Sequence, residues 1–338
     1  MAEGWRRVGL IVNPIAGSGF NESLRAARTV IQRCGAEEVC TGRGQTGETA
    51  LSGCRSRVQI HDVGPAVGSQ QTRALARWIA GQKLDALVVV GGDGTISDAA
   101  IEVGSSVPVV GIGTGSTNVG RLITCPASRV EELDFRDLET WKVDALLASV
   151  NDELVGMAFN DVVIGTTIVG MIDVQRCDMS AAERKLGNMA VAKPRPVGNR
   201  ETKVTRVSAG EHTLVATGES IGTVVAGFAE PAFFGKAIAG GICLATLTGL
   251  PAGCLVCDLP LAQVGITAQT LLSAPPAVCR YVSLSEETTI VVENMEGDAT
   301  VCVDGNPVHR LTMSDRVTIS VRTGAALGVR SNKDLRSA

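Results

Sequence analysis

The sequence predicts an α/β protein in which a doubly wound, Rossmann-like parallel-sheet domain is followed by an antiparallel β-rich domain. In the first part, apolar runs typical of buried strands alternate with helical patterns. Three of these runs lead into glycine-rich turns: Val8–Val12, Leu87–Val90 and Pro108–Ile112. After about residue 150 the predicted segments become short and β-rich. We therefore expect domains at 1–145 and 146–330, with a tail at 331–338.

The composition is that of a folded protein that binds small molecules. Of the 338 residues, 45% are apolar and 20% are charged, and the formal net charge is −4. This charge gives no electrostatic attraction to nucleic acid or an anionic membrane, and 3% aromatic residues leave few side chains for stacking bases. No apolar run approaches the roughly 20 residues that span a bilayer. We expect neither nucleic acid nor a membrane as a partner.

The cysteines indicate a reducing compartment. Ten of them are scattered along the chain, and no apolar signal region precedes the first predicted strand. This predicts a cytoplasmic protein with reduced, mostly buried thiols. Cys254 and Cys257 form the one close pair. Without a second pair or nearby histidines, they are more typical of core thiols than of a zinc site.

The most informative stretch is Gly91-Gly92-Asp93-Gly94-Thr95, directly after a predicted buried strand. Glycines allow several backbone amides to point at one place, and a helix N-terminus attracts phosphate. Thr95 is the predicted N-cap of the following helix, with Asp98 completing an approximate capping box. Because a carboxylate repels phosphate, we interpret Asp93 as accepting a proton from an attacking hydroxyl or sharing Mg²⁺ with the phosphates. The alternative is a tight structural turn.

Two further loops follow predicted strands. The first runs from Asn13 to Gly19 and lacks the Gly-Lys-Ser/Thr of a Walker loop, so it is either a phosphate loop or a simple β–α turn. The second runs from Gly113 to Gly120, and its Asn118 suits either a ribose or phosphate ester or a loop-stabilising Asx-turn. Because parallel strands carry ligands beyond their carboxyl ends, Asn13, Asp93 and Asn118 should share one edge of the sheet.

The remaining elements are predicted in chain order. A strand at 57–63 and a helix at 72–81 precede the central strand, and a charged helical connection at 127–150 ends the first domain. Predicted strands of the second domain are 153–158, 162–168, 203–208, 213–217, 221–226, 288–292, 300–303 and 316–321.

Three features of the second domain are candidates for function. Asn160 and Asp161 place an amide beside a carboxylate within an apolar segment, where a turn is unusual. Asp304-Gly305 between two β-rich runs predicts a hairpin, which explains Asp304 by structure alone. The basic residues of 181–200 are expected to form a solvated surface loop, the alternative being closure over bound phosphates.

These motifs resemble those of a kinase superfamily. Gly91-Gly92-Asp93-Gly94-Thr95 resembles the Gly-Gly-Asp-Gly motif shared by NAD kinases, diacylglycerol and sphingosine kinases and 6-phosphofructokinases. The 13–17 and 114–118 loops are similar to loops of lipid kinases and NAD kinase relatives, and Asn160-Asp161 resembles a pair found in NAD kinases. With the 218–222 segment, the chain looks most like the acetoin-catabolism X-type branch of NAD kinase-like proteins.

The resemblance implies an NAD kinase-like fold and an ATP-dependent kinase that acts on a hydroxyl, with NAD as the acceptor and NADP as the product. It implies that Asp93 is the catalytic base or the residue that orients the acceptor hydroxyl, that Asn160 and Asp161 bind the acceptor, and that the protein forms homo-oligomers. Mg²⁺ is expected to be bound through the phosphates, with no protein residue as a metal ligand. The residues implied to bind the ATP phosphates are Asn13, Gly17, Gly91, Gly92, Gly94, Thr95, Gly115, Ser116, Thr117 and Asn118.

Two departures leave the acceptor open. NAD kinases usually have a Gly-x-Leu-Gly-Phe loop where this chain has 114–118, and lipid kinases usually carry Asn-Glu where this chain has Ser97-Asp98. One alternative is therefore an X-type kinase with another acceptor: a polyol, a nucleoside-like compound or a lipid. The other is a catalytically silent, nucleotide-sensing regulator built on a kinase fold.

Overall fold

The computed structural model describes residues 5–17, 19–115, 118, 120–172, 175–228, 248–250, 252–273 and 276–332. They form two compact units. The first holds the chain up to Asp144 and again from Thr323, and the second runs from Ala145 to Arg322. Residues 323–330, which the sequence prediction assigned to the second domain, therefore belong to the first unit. The reason is that Gly328 pairs in parallel with Val109, and Val329 is buried in the core of that unit.

The first unit is built on a parallel sheet. Its strands are β1 (Arg7–Val12), β2 (Glu38–Gly42), β3 (Arg57–His61), β4 (Ala86–Gly91), β5 (Val109–Gly113) and β6 (Ile123–Pro126). Their order across the sheet is β3-β2-β1-β4-β5-β6, and every neighbouring pair is parallel. The helices are α1 (Phe20–Cys34), α2 (Gly68–Ala80) and α3 (Asp93–Val103), with 3₁₀ turns at Gly44–Thr46, Glu48–Leu51 and Ala127–Glu132.

Helices cover both faces of this sheet, which confirms the predicted doubly wound fold. Along β1, alternate residues point to opposite faces. Val8 and Leu10 belong to the apolar cluster that contains Ile31 of α1. On the other face, a Cβ at Gly9 would lie 2.8 Å from the side chain of Ile79 in α2. The absence of that Cβ lets α2 pack directly on the strand.

The predicted helical connection at 127–150 is wrong. Ala127–Glu132 is a 3₁₀ turn, and the chain then forms a long strand, β7 (Leu138–Val150). The apolar spacing of Leu138 and Trp141 fits a helix, but the fully buried Val143 and Ala145 follow the two-residue period of a strand. The predictions at 57–63 and 72–81 were close, and β2 was not predicted at all.

The second unit consists of antiparallel strands, as predicted. They are the end of β7, β8 (Glu153–Ala158), β9 (Asp161–Gly165), β10 (Thr167–Ile172), β11 (Gln175–Ser180), β12 (Lys203–Ser208), β13 (Glu211–Thr217), β14 (Thr223–Phe228), β15 (Ala252–Cys257), β16 (Cys279–Leu284), β17 (Thr288–Glu293), β18 (Thr300–Val303), β19 (Asn306–Arg310) and the start of β20 (Arg316–Ser331). The described residues of this unit also form two short helices, α4 (Ala181–Lys185) and α5 (Ala268–Ser273).

These strands pair into two sheets and a hairpin. One sheet has the order β16-β15-β14-β9-β18-β19, the other contains β13-β12-β17-β20 together with the β7–β8 pair, and β10 pairs with β11. A single apolar cluster includes Val162 and Val224 from the first sheet and Val204 and Ile290 from the second. Burial of this shared cluster stabilises the unit. None of the helices in the described part of the chain is both long and apolar enough to cross a membrane.

Several charges of the 181–200 segment are used within the second unit. Ser180 caps α4 by accepting a hydrogen bond from the Glu183 amide at 3.2 Å. Arg195 forms an ion pair with Asp298, and Arg200 forms one with Glu219 at 2.9 Å. The prediction of a solvated surface loop therefore missed α4. Closure of this segment over bound phosphates stays the untested alternative.

The described cysteines are free thiols, and most are buried. Cys254 and Cys257, the close pair noted in the sequence, both lie on β15. Because they are three positions apart on a strand, their side chains point to opposite faces of the sheet. The Sγ of Cys257 instead lies 3.0 Å from the Sγ of Cys279, its cross-strand partner on β16. This geometry explains why the Cys254–Cys257 spacing does not form a paired ligand site.

Burial predicts a clear order of thiol reactivity. Burial raises the pKa of Cys34 to about 11 and that of Cys125, Cys254, Cys257 and Cys302 to about 12. Only thiolates react readily. With iodoacetamide at pH 8, we expect the exposed Cys279 to be alkylated in the folded protein and these five thiols to react only after unfolding. Peptide mass spectrometry in buffer and in denaturant would test this, and early labelling of Cys257 would contradict it.

A buried carboxylate at the β19–β20 turn predicts a pH-dependent stability. Asp315 accepts hydrogen bonds from the Thr312 amide at 2.7 Å, the Asn151 side chain at 2.7 Å and the Thr312 hydroxyl at 2.9 Å. Burial alone raises the pKa of Asp315, but these hydrogen bonds outweigh it and lower the pKa below 3.8. Ionised Asp315 therefore stabilises the fold above about pH 4, and this stabilisation is lost as the pH falls through the folded pKa.

Asp315→Asn should lower the free energy of unfolding by about 1–2 kcal/mol at pH 7. The difference from wild type should shrink as the pH falls below about 4, because the carboxyl of the unfolded wild-type chain then takes up a proton and the folded carboxyl follows at its lower pKa. Urea unfolding between pH 3 and pH 7 measures it. Asp152→Asn is the control, since the side chain of Asp152 is 88% exposed and pairs with Arg316 only at 3.4 Å. A difference for Asp315→Asn that stays constant with pH would refute this assignment.

Candidate functional site

The helix α3 begins within the glycine turn that follows β4, earlier than the sequence predicts. Gly92 is the N-cap residue, with φ −80° and ψ 173°, and α3 starts at Asp93. The amides of Thr95 and Ile96 donate to the Gly92 carbonyl at 3.0 and 3.2 Å, which closes the first turn. Among the described residues, no side chain caps this helix. An N-terminus without a side-chain cap can present its first amides to an anion.

The predicted N-cap role of Thr95 is therefore wrong. Its hydroxyl accepts a hydrogen bond from Asn13 Nδ2 at 2.8 Å, and the turn is so tight that a Cβ at Gly91 would lie 2.7 Å from the Thr95 side chain. Asp98, the predicted capping-box partner, instead accepts from Arg73 Nε at 2.8 Å. The two side chains tie α3 to other parts of the first unit.

Asn13 joins the first loop to this turn. Its amide donates to the Val90 carbonyl at 2.8 Å, and its side-chain oxygen accepts from the Ile15 amide at 3.0 Å in an Asx-turn. The side-chain nitrogen of Asn13 thus bonds to Thr95, and its side-chain oxygen bonds to Ile15. Gly17 lies further along the same loop and is exposed. Asn13 thus shapes the loop, whose backbone remains the part able to meet a ligand.

Asn118 closes the third loop on itself. It has φ 49°, and its side chain makes two hydrogen bonds to one residue: Oδ1 accepts from the Gly115 amide at 2.6 Å, and Nδ2 donates to the Gly115 carbonyl at 2.7 Å. A Cβ at Gly113 would lie 2.7 Å from the Asn118 side chain, so glycine is needed there. These contacts correspond to the loop-stabilising alternative. Ser116 and Thr117 lie outside the described residues.

The three loops share one edge of the sheet, as expected from the parallel topology. They follow β1, β4 and β5, which are neighbours in the sheet. The Thr114 amide donates to the Gly91 carbonyl at 2.9 Å. A Cβ at Gly115 would lie 3.2 Å from Gly92 Cα, so the glycine turn and the third loop approach each other closely. The structure therefore brings together Asn13, Gly91, Gly92, Asp93, Gly94, Thr95, Gly115 and Asn118.

Asp93 lies in the first turn of α3 and is half-buried. Its Oδ1 accepts a hydrogen bond from the Gly120 amide at 3.0 Å. The positive end of the helix dipole favours the ionised carboxylate. The contribution of Gly120 was not predictable from sequence, because a backbone donor leaves no signal in the residue type.

Asn160 and Asp161 lie in the second unit, at the start of β9. Asn160 is only 7% exposed and follows the fully buried Phe159. The Asp304 carboxylate accepts hydrogen bonds from the backbone amides of Phe159, Asn160 and Asp161. The Asp-Gly hairpin pattern predicts only the turn at Asp304 and not this contact, which joins residues more than 140 positions apart.

The described residues contain no group of three or more His, Cys, Asp or Glu side chains placed to hold a metal ion. The donors at the loop edge of the first unit are chiefly backbone amides of glycine-rich turns. Such a donor set is suited to anions rather than to a bare cation.

Comparison with known proteins finds a family model that matches the first part of the chain. Residues 8–119 match the family model of the ATP-NAD kinase N-terminal domain. An uncharacterised protein of Archaeoglobus fulgidus is 29% identical over 304 residues, which cover 89% of this chain and 92% of that protein.

Two solved structures share the fold. Yeast NADH kinase complexed with NADH superposes with a TM-score of 0.55 at 14% identity, over 99% of this chain and 85% of that one. A proposed diacylglycerol kinase from Bacillus anthracis superposes with a TM-score of 0.52 at 15% identity, over 98% of this chain and 99% of that one. The match over residues 8–119 and the yeast NADH kinase structure therefore show that the chain has the fold of the NAD kinases.

Proposed function

We propose that this protein is a kinase that transfers the γ-phosphoryl group of ATP to a hydroxyl of NAD, giving NADP. The observation that carries the proposal is the meeting of three loops at the carboxyl ends of β1, β4 and β5 around a helix N-terminus that no described side chain caps. Such an edge is where parallel sheets bind nucleotides. The kinase-family domain at 8–119 supports a phosphotransferase.

The glycine-rich loops supply the binding site for phosphate in this proposal. The backbone at Gly92, Gly94 and Gly115 allows close approach, because glycine carries no side chain that would cover it. The amides at the start of α3 would stabilise the charge on the phosphate oxygens. Asn13 and Asn118 act by shaping their loops through the hydrogen bonds described above, while Gly17, Ser116 and Thr117 are proposed to contribute along the same loops. Mg²⁺ that arrives with ATP would neutralise part of the phosphate charge.

Asp93 is proposed to handle the proton of the acceptor. The hydroxyl oxygen forms the new bond to the γ-phosphorus, the bond between that phosphorus and the oxygen of the ADP leaving group breaks, and the hydroxyl proton passes to the Asp93 carboxylate. The Gly120 amide holds one carboxylate oxygen in place. A carboxylate that is already fixed can orient the hydroxyl without a further loss of side-chain entropy.

Asn160 and Asp161 are proposed to bind the acceptor. An amide both donates and accepts hydrogen bonds, and a carboxylate accepts them, so the pair suits the hydroxyl groups of a ribose. The yeast NADH kinase, which shares this fold, was solved in complex with NADH, and this supports a dinucleotide acceptor.

A second acceptor class is favoured by the third loop. The Asn118 side chain makes its two described hydrogen bonds to Gly115. The sequence of this loop departs from the Gly-x-Leu-Gly-Phe pattern that the NAD kinase resemblance leads one to expect. This observation favours an X-type kinase for a polyol, a nucleoside-like compound or a lipid.

The deciding experiment is an assay of the purified protein with Mg²⁺-ATP and NAD, scoring NADP by a coupled dehydrogenase. NADP formation supports the proposal. ADP release that depends on another hydroxyl compound, without NADP, keeps the kinase and overturns NAD as acceptor. Nucleotide binding without turnover on a panel of NAD, NADH, polyols, nucleosides and diacylglycerol favours the silent sensor. We also expect the protein to form homo-oligomers and to be cytoplasmic.

A further inference from the structure

The hairpin between β18 and β19 reverses the chain and also carries a carboxylate, that of Asp304, which the turn itself does not require. Asp304 and Gly305 form its two-residue turn, with φ 47° and 77°, between the paired residues Val303 and Asn306. Positive φ at both positions is typical of a type I′ turn, for which asparagine or glycine would serve as well as aspartate at the first position. The turn therefore explains the backbone of Asp304 but not its carboxylate.

The carboxylate of Asp304 accepts three consecutive amides from a distant part of the chain. Oδ2 accepts from the Phe159 amide at 3.0 Å, while Oδ1 accepts from the Asn160 amide at 2.8 Å and the Asp161 amide at 3.2 Å. The Asp304 amide in turn donates to the Asp161 carbonyl at 3.0 Å. Successive amides that converge on one point form an anion-binding concavity, which the protein fills here with its own carboxylate.

Other contacts also fix the 159–161 segment. The Phe159 side chain is 1% exposed, and the Asn160 carbonyl accepts from the Phe228 amide at 3.2 Å. The strand β9 that follows pairs with β14 on one side and β18 on the other. The Asp304 carboxylate is a charged group that accepts hydrogen bonds from the backbone amides of both Asn160 and Asp161. Charge-assisted hydrogen bonds are stronger than those between neutral groups.

We propose that Asp304 is the positioning residue of the acceptor site: it fixes the backbone of Asn160 and Asp161 so that their side chains meet the acceptor in one geometry. This inference rests on the proposed function, since it takes Asn160 and Asp161 as the residues that bind the acceptor. Asp304 does not touch the substrate in this scheme and acts only through the 159–161 backbone.

The test is the kinetic effect of Asp304→Asn. Asparagine keeps the size and the turn geometry, but it removes the charge and places an NH₂ group where an oxygen now accepts from a backbone amide. With NAD varied, KM should rise and kcat/KM should fall about tenfold. With ATP varied, KM should stay within twofold of wild type, because the proposed ATP site belongs to the first unit.

The matched control is Asp315→Asn, the same change at a buried carboxylate of the same unit. Asp315 also accepts a backbone amide, that of Thr312 at 2.7 Å, and its described hydrogen bonds do not involve residues 159–161. It should lower stability without changing the KM for NAD. Amide hydrogen exchange of the 159–161 peptide should become faster in Asp304→Asn and stay unchanged in Asp315→Asn.

The outcomes separate this inference from the proposed function. An active wild-type enzyme whose Asp304→Asn variant keeps the wild-type KM for NAD overturns the inference alone. A wild-type protein without NAD turnover overturns the proposed function and, with it, the acceptor role of Asp304. Should Asp304→Asn not fold, Asp304→Glu keeps the charge but moves the oxygens by one methylene. That variant should show a smaller increase in the KM for NAD, and an unchanged KM would overturn the inference.

Discussion

Replacing Asp93 with Asn should lower kcat about 10²–10⁴-fold while leaving the affinity for ATP close to that of wild type. Asparagine has the same size, and its side-chain oxygen can still accept the Gly120 amide that now donates to Asp93 Oδ1 at 3.0 Å. It cannot take up a proton from the attacking hydroxyl. The loss should therefore fall on the chemical step, which steady-state kinetics with saturating NAD and a separate ATP titration would resolve.

Asp98→Asn is the matched control for this experiment. Asp98 lies on the same helix, but its carboxylate pairs with Arg73 at 2.8 Å. Removing that charge should leave kcat within about twofold of wild type, since a partly exposed ion pair contributes little. If Asp93→Asn retained wild-type turnover, the role of Asp93 as proton acceptor would be wrong. If both variants and the wild type bound nucleotide without turnover, the sensor would become the better interpretation.

The parallel topology is what made the loop edge predictable from sequence. Three apolar runs followed by glycine-rich turns are enough to place three loops at one end of a sheet, because parallel strands point the same way. The structure places the loops after neighbouring strands β1, β4 and β5. The β-rich second part was predictable from its short segments, and those at 153–158, 203–208 and 300–303 are strands with the predicted bounds.

The direction in which a polar side chain points was not predictable. Asn13 and Asn118 were both expected to be ligands or loop formers, and in the structure their amide groups bond to Thr95, Ile15 and Gly115. An asparagine that binds a ligand and one that stabilises its own loop cannot be distinguished by residue type, because the side-chain amide can make the same hydrogen bonds to either. The helix start was missed for a related reason: Gly92 caps α3 through backbone geometry alone, without the side chain that a capping pattern requires.

Contacts between residues far apart in the chain were also not predictable from the sequence. The pairing of Gly328 with Val109 moves the end of the chain into the first unit, and nothing in the local pattern near residue 328 indicates its partner. The Asp304 carboxylate and the 159–161 amides meet only because β9 and β18 are neighbours in one sheet. A hairpin signal such as Asp-Gly is local, so it fixes the turn and leaves the target of the carboxylate undetermined.

Gly92→Ala should lower kcat/KM for ATP about 100-fold while the protein remains folded, with the loss mainly in the KM for ATP. The backbone of Gly92 has φ −80° and ψ 173°, which alanine adopts without strain. Its Cβ would lie 3.6 Å from Gly115 Cα, an ordinary contact distance. The new methyl group would therefore stand between the glycine turn and the third loop, where the proposed phosphate has to approach the backbone. Alanine is also a poorer N-cap than glycine, which adds a stability cost of about 1 kcal/mol.

Gly81→Ala controls for the added methyl group, because Gly81 ends α2 with φ −78° and its Cβ would meet nothing closer than 3.5 Å. Thermal unfolding of both variants, measured beside their ATP kinetics, separates loss of fold from loss of binding. A Gly92→Ala enzyme with the wild-type KM for ATP would show that phosphate does not approach this turn, even if Asp93 proved essential. The two substitutions are thus independent tests: Asp93→Asn probes the proton transfer and Gly92→Ala probes the phosphate site one residue away. Only a kinase that uses the turn for both purposes loses kcat in one variant and ATP affinity in the other.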